Sequence, residues 1–337
     1  MTISVQEYKN GSLAMTEITM EQGRVKAKFL NYGITMSSLM VDGVEVCLGF
    51  DDPLDYPDLN SPYFGQIIGR LCNRTKNGRF SLGGKEYQLP INNGPNSLHG
   101  GLKGLSKVYW NYQIISQEPP QVEFEYASND LDDGYPGTVT FKCSWTLENM
   151  ELQFTTEAQV VDAQESCANV TVHPYFNLSG FASPTVAEHV VDMDVTSVMK
   201  MDENQIPTGE LLTERDRPEM FLKNQKIGDK LPSVKEFRGY DHYYFGKSIK
   251  VTCPRTRIQL QATFSYPGFQ FYTGNWLDES LKAKRVHNKY QPYAGFCIEP
   301  SYPPNSINMP QFRDKVILKK GEKQINSITY KFSKDNQ

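Results

Sequence analysis

Five ionisable side chains in apolar or glycine-rich surroundings are the residues of this chain that could do chemistry. They are Arg74, His99, His173, Asp241 and Glu299. Histidine can carry or release a proton near neutral pH. A carboxyl group that is removed from water becomes a better base, and arginine offers a fixed fork of donors for an oxygen-rich ligand. Together these residue types suit acid–base chemistry on a polar ligand.

Each of the five also has a simpler explanation when it is taken alone. His173 could be a packed imidazole at a strand end, because a proline follows it and proline interrupts the sheet ladder. Arg74 could form a surface salt bridge, and Asp241 could cap a turn. His99 could lie in an ordinary glycine turn, and Glu299 could point to solvent at a strand end. The case for a site is that all of them occur at predicted strand ends or glycine turns.

The same side chains could instead hold a metal ion. Histidine and carboxylate groups bind zinc or iron. However, the sequence contains no His-x-His or His-x-x-x-His pair that would place two ligands in advance. A metal-free acid–base pair fits the residue types equally well, so the residues alone leave both alternatives open.

Strand-like alternation dominates the elements that would position these groups. Two-residue turns at Asp42-Gly43 and Gly83-Gly84 predict hairpins. Thr138–Thr146 and Met150–Val160 each place apolar residues on one face, which predicts a long antiparallel pair joined at residues 148–149. Helical patterns are weak, and Glu279–Val286 predicts one or two turns at most. We therefore expect a single all-β domain over residues 1–337, built as a large antiparallel β-sandwich.

Composition excludes several classes of protein. The chain has 337 residues, of which 39% are hydrophobic and 22% are charged, and its net charge is −4. The Lys and Arg residues are scattered and balanced by acids, so no nucleic-acid partner is expected. No apolar run reaches membrane-spanning length, and residues 1–10 lack the apolar core of a signal peptide. The six cysteines include no Cys-x-x-Cys pair. These features predict a reduced, soluble, cytoplasmic protein without membrane contact.

Seven short segments, in order between about residues 60 and 300, resemble the aldose 1-epimerases, also called galactose mutarotases. Each segment alone is a weak signal, but seven in the family's order are specific. The matching segments are Asn73-Arg74, Leu98-His99-Gly100-Gly101, Ser128-Asn129-Asp130 with Gly134-Tyr135-Pro136-Gly137, His173–Leu178, Tyr240-Asp241-His242, Gln270–Asn275 and Gly295–Glu299.

The resemblance implies a galactose mutarotase-like β-sandwich (supersandwich) with an open sugar cleft. It implies that Glu299 and His173 act as base and acid in interconverting the α and β anomers of free hexoses such as galactose and glucose. Whether His99 donates the proton instead stays open. The implied substrate-binding residues are Arg74, Asn73, Asp241, Gln270 and Tyr175, with His99 also holding sugar hydroxyls. Because no electrons or groups are transferred to a carrier, no cofactor or metal is expected. The protein is expected to be a monomer or homodimer.

Three positions depart from the family's usual pattern. Leu131 stands where glycine is common, Tyr293 lies where a histidine is common, and Ser301 stands where glutamine is common. None of these changes removes a proposed catalytic group, although they leave the preferred sugar open. The competing functions are a non-catalytic carbohydrate-binding sandwich, a hexose-phosphate 1-epimerase with extra Arg or Lys near the sugar's C6 end, and a metal-dependent isomerase.

Overall fold

The computed structural model describes residues 2–11, 13–284 and 289–334. Its strands in chain order are β1 (Ile3–Asn10), β2 (Leu13–Gln22), β3 (Val25–Leu30), β4 (Thr35–Val41), β5 (Val44–Glu45), β6 (Ile67–Ile68), β7 (Arg74–Thr75), β8 (Arg79–Leu82), β9 (Lys85–Gln88), β10 (Ser97–Leu98), β11 (Asn111–Gln117), β12 (Pro120–Ser128), β13 (Val139–Glu148), β14 (Glu151–Val160), β15 (Glu165–Cys167), β16 (Thr171–Val172), β17 (Val190–Met201), β18 (Pro207–Leu212), β19 (Gln225–Lys226), β20 (Asp241–Thr252), β21 (Ile258–Phe264), β22 (Gly268–Tyr272), β23 (Cys297–Ser301), β24 (Ile317–Lys319) and β25 (Gln324–Lys334).

Helices are short in the described ranges. The α-helices are α1 (Tyr56–Leu59), α2 (Ile227–Lys230) and α3 (Pro310–Val316). The 3₁₀ helices are Pro53–Asp55, Lys76–Gly78, Asp132–Gly134, Pro218–Met220, Leu231–Ser233, Glu236–Arg238 and Ser306–Asn308. Across the residues described, no helix has both the length and the apolar character that crossing a bilayer would require.

Two antiparallel sheets carry most of the strands. One sheet has the order β1-β2-β3-β4-β5, and the larger one has twelve strands. Its main path is β11-β12-β13-β14-β25-β21-β20-β17-β18, while β19 pairs with β17, β22 pairs with β20, and β23 pairs with β22. Short two-stranded pairs, β7 with β10 and β6 with β16, lie outside both sheets. This architecture confirms the predicted all-β fold.

The two sheets pack face to face across one apolar core. Alternate residues of β13 and β14 are buried, whereas their neighbours are partly or fully exposed. Trp145 of β13 stacks on Phe29 of β3, with ring centroids 4.9 Å apart. Burial of apolar surface at about 25 cal/mol per Å² is the main favourable term in such packing. A single cluster of buried side chains runs from Ile3 near the start to Phe332 near the end.

The predicted hairpins at Asp42-Gly43 and Gly83-Gly84 are confirmed, and all four turn residues have positive φ. The β13–β14 hairpin is also present, but its turn was predicted one residue too early. Glu148 pairs with Glu151, so the turn is Asn149-Met150, with φ of 52° and 64°. Asparagine tolerates the left-handed region, and the two-residue turn with both angles positive matches the twist of the strands.

The weak helix predicted at Glu279–Val286 does not form within the part that the structure describes. Residues 279–280 form a turn, and residues 281–284 have no helical structure. The last two residues of the prediction, Arg285 and Val286, lie outside the described ranges. A short amphipathic pattern is a weak indicator, because a helix of one or two turns gains little from backbone hydrogen bonds alone.

Candidate active site

All eight residues predicted for the site line one cavity of about 430 Å³. Segments distant in the chain meet there through the short pairs β6–β16 and β7–β10 and through the strands β20, β22 and β23. The lining residues are Ser61, Pro62, Tyr63, Asn73, Arg74, Asn93, Leu98, His99, His173, Tyr175, Gln205, Asp241, Gln270, Tyr272, Trp276 and Glu299. Convergent polar groups in a concave site are the usual mark of a small-molecule site.

His173 directly follows the end of β16, as the proline after it predicted. Its backbone N–H donates to the carbonyl of Gln66 at 2.9 Å, and its own carbonyl accepts from Gly65 at 3.0 Å. The imidazole ring stacks on Tyr175 with centroids 5.0 Å apart. These contacts fix both the backbone and the ring plane, so that one edge of the imidazole faces the cavity.

Glu299 lies in the middle of β23, so its predicted position at a strand end was wrong. The strand continues through Pro300 to Ser301. Proline is tolerated there because β23 pairs on one side only, with β22, and an edge strand does not need every N–H. Glu299 lies directly opposite Gln270 in the register of β22 and β23. A sheet position holds this carboxylate more rigidly than a loop would.

The carboxylate and the imidazole form a buried pair. Oε1 of Glu299 lies 3.4 Å from Nε2 of His173, and both side chains are only 5% exposed. Burial raises the pKa of Glu299 well above its usual range; the charge of Asp241 raises it further, and Arg74 opposes the rise. Burial lowers the pKa of His173 to about 4. The two shifts are of opposite direction, so burial favours the uncharged form of each group, with a protonated Glu299 beside a neutral His173.

The other nitrogen of His173 contacts a thiol. Sγ of Cys297, on β23, lies 3.5 Å from Nδ1 of His173. Burial also raises the pKa of Cys297 well above its usual range, so the sulfur keeps its proton and can donate it weakly. A thiol that donates to Nδ1 leaves Nε2, the nitrogen on the Glu299 side, available to hold a proton.

His99 lies beside the pair, in the turn that follows β10. Its ring centroid is 5.4 Å from that of His173. The backbone N–H of Asn73 donates to the ring atom Nδ1 of His99 at 3.3 Å. The backbone N–H of His99 donates in return to the backbone carbonyl of Asn73 at 3.1 Å. Burial, with His173 and Arg74 nearby, holds the pKa of His99 well below its usual range. His99 is therefore a neutral imidazole with its proton on Nε2.

Arg74 and Asp241 bring opposite charges to the cavity wall. Arg74 is the first residue of β7, and its Nε donates to Oδ1 of Asn93 at 3.0 Å. Asp241 is the first residue of β20; it accepts from Nε2 of Gln270 at 2.7 Å and from Nε2 of Gln205 at 2.5 Å. Among the described residues that line the cavity, Arg74 is the single Arg or Lys side chain.

Aromatic side chains complete the wall. Tyr175 is buried, and its hydroxyl donates to the carbonyl of Pro62 at 3.0 Å. Tyr63 packs against His99 with centroids 4.9 Å apart. Trp276 is 54% exposed and carries the guanidinium of Arg238 over its ring at 4.5 Å. Aromatic faces of this kind suit the C–H faces of a sugar ring, since they bury apolar area beside the polar groups.

Sequence reasoning missed several lining residues. Gln205, Asn93, Tyr63 and Trp276 lie in segments outside the named strands, and no motif marks them. Gln205 contacts Asp241 across 36 positions of sequence. The signal that could have drawn attention to Gln205 is weak: it precedes an Ile-Pro dipeptide in a polar turn.

His99, His173 and Glu299 are also spaced so that they could ligate a metal ion. One ligating atom from each lies within 4.8 Å of the others, and all three side chains are buried. Two neutral imidazoles and a carboxylate are a plausible set of donors for zinc. The geometry of these three residues therefore suits a metal site as well as an acid–base site.

The three departures from the family pattern lie away from the cavity lining. Leu131 is 61% exposed and has φ of 62°, a left-handed conformation that glycine adopts at lower cost. Tyr293 also has positive φ, and its hydroxyl donates to the carbonyl of Arg238 at 2.6 Å. Ser301 is buried, and its carbonyl accepts from the hydroxyl of Tyr243 at 2.6 Å. Tyr293 and Ser301 therefore have local structural contacts, whereas nothing in the structure explains leucine at position 131.

Comparisons with known proteins agree with this geometry. The family model of the aldose 1-epimerases matches residues 16–331. The chain is 36% identical over 335 residues to galactose mutarotase of Bos taurus, covering 96% of this chain and 95% of that one. It is 30% identical over 323 residues to aldose 1-epimerase of Escherichia coli K12, covering 90% of each. A crystal structure of an aldose epimerase homologue from C. elegans superposes with a TM-score of 0.85 at 26% identity, over 99% of this chain and 100% of that one. The chain belongs to the aldose 1-epimerase family.

Proposed function

We propose that this protein is an aldose 1-epimerase that interconverts the α and β anomers of free hexoses such as galactose and glucose. The observation that carries the proposal is the pair of Glu299 and His173, 3.4 Å apart and buried in the wall of a polar cavity. The family relationship, with relatives named galactose mutarotase and aldose 1-epimerase, supports the same reaction. The protein is thus an isomerase.

The reaction exchanges the face of the hydroxyl group at C1. A base removes the proton from the C1 hydroxyl, and the electrons of that O–H bond form the carbonyl of the open-chain aldehyde. The C1–O5 bond breaks, its electron pair goes to O5, and an acid protonates O5. Rotation about C1–C2 presents the other face of the aldehyde, and ring closure reverses each step. The proton count is unchanged over the cycle.

We assign the base to Glu299 and the acid to His173. The two oxygens that exchange protons are bonded to the same carbon, so the base and the acid must themselves be neighbours. A carboxylate and an imidazole at 3.4 Å meet that requirement. The reactive form places the shared proton on His173 and leaves Glu299 ionised. The raised pKa of Glu299 makes it a strong base, and the lowered pKa of His173 makes its cation a strong acid.

The remaining predicted residues would hold the sugar. Nε2–H of the neutral His99 can donate to a hydroxyl oxygen, and the guanidinium of Arg74 offers further donors. Asp241 can accept from hydroxyl groups with the lone pairs that its amide partners leave unused. We assign smaller contacts to Asn73, Gln270 and Tyr175. Gln270 has a buried Oε1 atom without a hydrogen-bond partner among the described residues, and a sugar hydroxyl could donate to it.

We propose that neither a metal nor another cofactor takes part, because the reaction moves protons alone. The cluster of His99, His173 and Glu299 makes this a point to test. Exhaustive chelation followed by assay in metal-free buffer should leave turnover unchanged. Loss of activity that added zinc restores would support the metal-dependent alternative.

We also propose that the chain acts as a single domain over residues 1–337, since one apolar cluster joins its first and last strands. A monomer or homodimer and a cytoplasmic location complete the proposal. The six cysteines are buried free thiols, which suits a reducing compartment. One cooperative unfolding transition, with light scattering at several concentrations, tests the domain and the oligomeric state.

Polarimetry of freshly dissolved α-galactose tests the proposed reaction. Catalytic amounts of protein should speed the approach to anomeric equilibrium without changing the final rotation. Binding of galactose without any acceleration would favour the non-catalytic carbohydrate-binding alternative. A faster rate with glucose 6-phosphate than with free hexoses would favour the hexose-phosphate epimerase.

A further inference from the structure

Asp241 is held by two amide side chains, one on each carboxylate oxygen. Nε2 of Gln270 donates to Oδ1 at 2.7 Å, and Nε2 of Gln205 donates to Oδ2 at 2.5 Å. We call Gln205 and Gln270 the amide pair. The χ2 torsion of an aspartate is broad, so a free carboxylate samples many orientations. One donor on each oxygen restricts that torsion to a narrow range.

The two members of the amide pair are supported differently. Gln270 belongs to β22, which lies between β20 and β23, and the sheet fixes its backbone. Gln205 lies between β17 and β18 in a turn, and its φ is 57°. Nevertheless its side chain is only 9% exposed and lines the cavity. A polar side chain at that depth, outside a strand, requires a reason for its position.

The turn that carries Gln205 is fixed by its own hydrogen bonds. Oδ1 of Asp202 accepts from the backbone N–H groups of Asn204 and Ile206, each at 2.9 Å. Asn96, which is buried, donates to the carbonyl of Asn204 at 3.2 Å and so ties the turn to the segment that precedes β10. Gln205 is thereby presented to Asp241 in a defined place.

We propose that Gln205 is a positioning residue for hexose binding: it fixes the rotation of the Asp241 carboxylate so that its unused lone pairs point at one sugar hydroxyl. Each carboxylate oxygen can accept two hydrogen bonds, so one amide on each oxygen leaves one acceptor position on each for the ligand. The inference rests on the proposed function, because it assigns a role within the sugar site. It also adds a residue that neither the motif segments nor the strands indicated.

Three variants test the inference by steady-state kinetics with galactose and with glucose. Gln205→Ala removes the donor, and we expect KM for the better hexose to rise about tenfold while kcat stays within twofold. The ratio of the two kcat/KM values should also change, since a freely rotating carboxylate discriminates less between hydroxyl positions. Glu203→Ala, at an exposed position of the same turn, is the matched control and should leave KM, kcat and the ratio unchanged.

Gln205→Glu supplies a readout that a purely structural role would not move. Near pH 7.5 the introduced carboxylate repels Asp241, so KM should exceed that of the alanine variant. Near pH 5 the introduced carboxyl group becomes partly protonated and can donate to Asp241, so KM should fall back toward the wild-type value at that pH.

The inference is overturned if Gln205→Ala leaves KM and the hexose ratio unchanged. It is also overturned if kcat falls as much as KM rises, or if KM of Gln205→Glu does not depend on pH beyond the wild-type trend. Galactose dissociation constants, measured by calorimetry, test the role of Gln205 independently of the proposed epimerase reaction. A wild-type protein without catalysis, whose galactose affinity still follows the variant pattern, would refute the reaction and support the role of Gln205. A wild-type protein that neither catalyses nor binds hexose would overturn both.

Discussion

Glu299 and Asp241 are two carboxylates in one cavity, and their partners differ. Oε1 of Glu299 faces an imidazole nitrogen at 3.4 Å, whereas the oxygens of Asp241 accept from the amides of Gln205 and Gln270 at 2.5 and 2.7 Å. An imidazole can take up or release a proton near neutral pH, but an amide cannot. This difference in neighbours supports the proposal that Glu299 transfers a proton and that Asp241 binds the ligand.

Burial shifts the pKa values of Glu299 and His173 in opposite directions. Desolvation raises the pKa of Glu299 and lowers that of His173 to about 4. Both shifts favour the uncharged forms, so the proton of the pair lies on Glu299. Asp241, with an amide on each oxygen, has no comparable partner among its described contacts. The following variants test this difference, from the largest expected effect to the smallest.

Glu299→Gln should cause the largest loss. The amide keeps the shape but cannot accept the proton of the C1 hydroxyl, so kcat should fall by about 10²–10⁴-fold. Stopped-flow polarimetry with α-galactose measures the change. Glu203→Gln, which makes the same chemical change at an exposed position, is the control. Turnover within a few-fold of wild type would refute the assignment of the base.

His173→Asn should lower kcat by about 10²-fold, because the ring oxygen would leave without a proton donor. The galactose dissociation constant should change much less than kcat. His99→Asn is the informative comparison, since His99 lies beside the same pair but is a neutral donor. A larger kcat loss for His99→Asn than for His173→Asn would exchange their roles.

Asp241→Asn should act on binding rather than on turnover. A hydrogen bond to a charged group contributes about 1.5–3 kcal/mol, so KM should rise by roughly 10–100-fold at nearly unchanged kcat. Kinetics with galactose, compared directly with Glu299→Gln, would show opposite patterns in the two carboxylates. A fall in kcat as large as that of Glu299→Gln would mean that Asp241 also takes part in the chemistry.

The pH dependence of thermal stability should reflect the burial of Glu299. Its folded pKa is raised, so the stability it contributes is fully present below the unfolded pKa of about 4.5 and is lost as pH rises toward the folded pKa. Over that window the loss approaches about 1.4 kcal/mol per pH unit. The Tm of Glu299→Gln relative to wild type should therefore increase by several degrees as the pH rises from 4.5 toward the folded pKa. A difference that is constant with pH would contradict the raised pKa.

Much of the fold was predictable, because alternation of apolar residues in β13 and β14 and the Asp42-Gly43 turn are local signals. Eight residues that line the cavity were predictable through short segments that resemble one family, whereas their roles stay predictions. The meeting of His173 with Glu299 follows from pairings between strands far apart in the chain, so no local pattern encodes it. Gln205 was missed for the same reason, since its contact with Asp241 is made only in the folded chain.

Positions that depend on neighbouring strands were also predicted less well. Glu299 was placed at the end of a short apolar strand, yet β23 continues through Pro300 to Ser301 as an edge strand. Met150 was placed in a strand because it continues the apolar alternation, but the chain reverses at Asn149 and Met150. In both cases the end of the strand depends on how it pairs with a neighbouring strand, and the sequence alone did not give that pairing.

A crystal structure of Glu299→Gln with bound galactose would test the central claim most directly. We expect the side chain at position 299 to lie within hydrogen-bond distance of O1 and Nε2 of His173 to lie within the same distance of O5, with Asp241 on hydroxyl groups away from C1. A sugar whose C1 lies far from both residues, or whose O5 contacts His99 instead of His173, would contradict it.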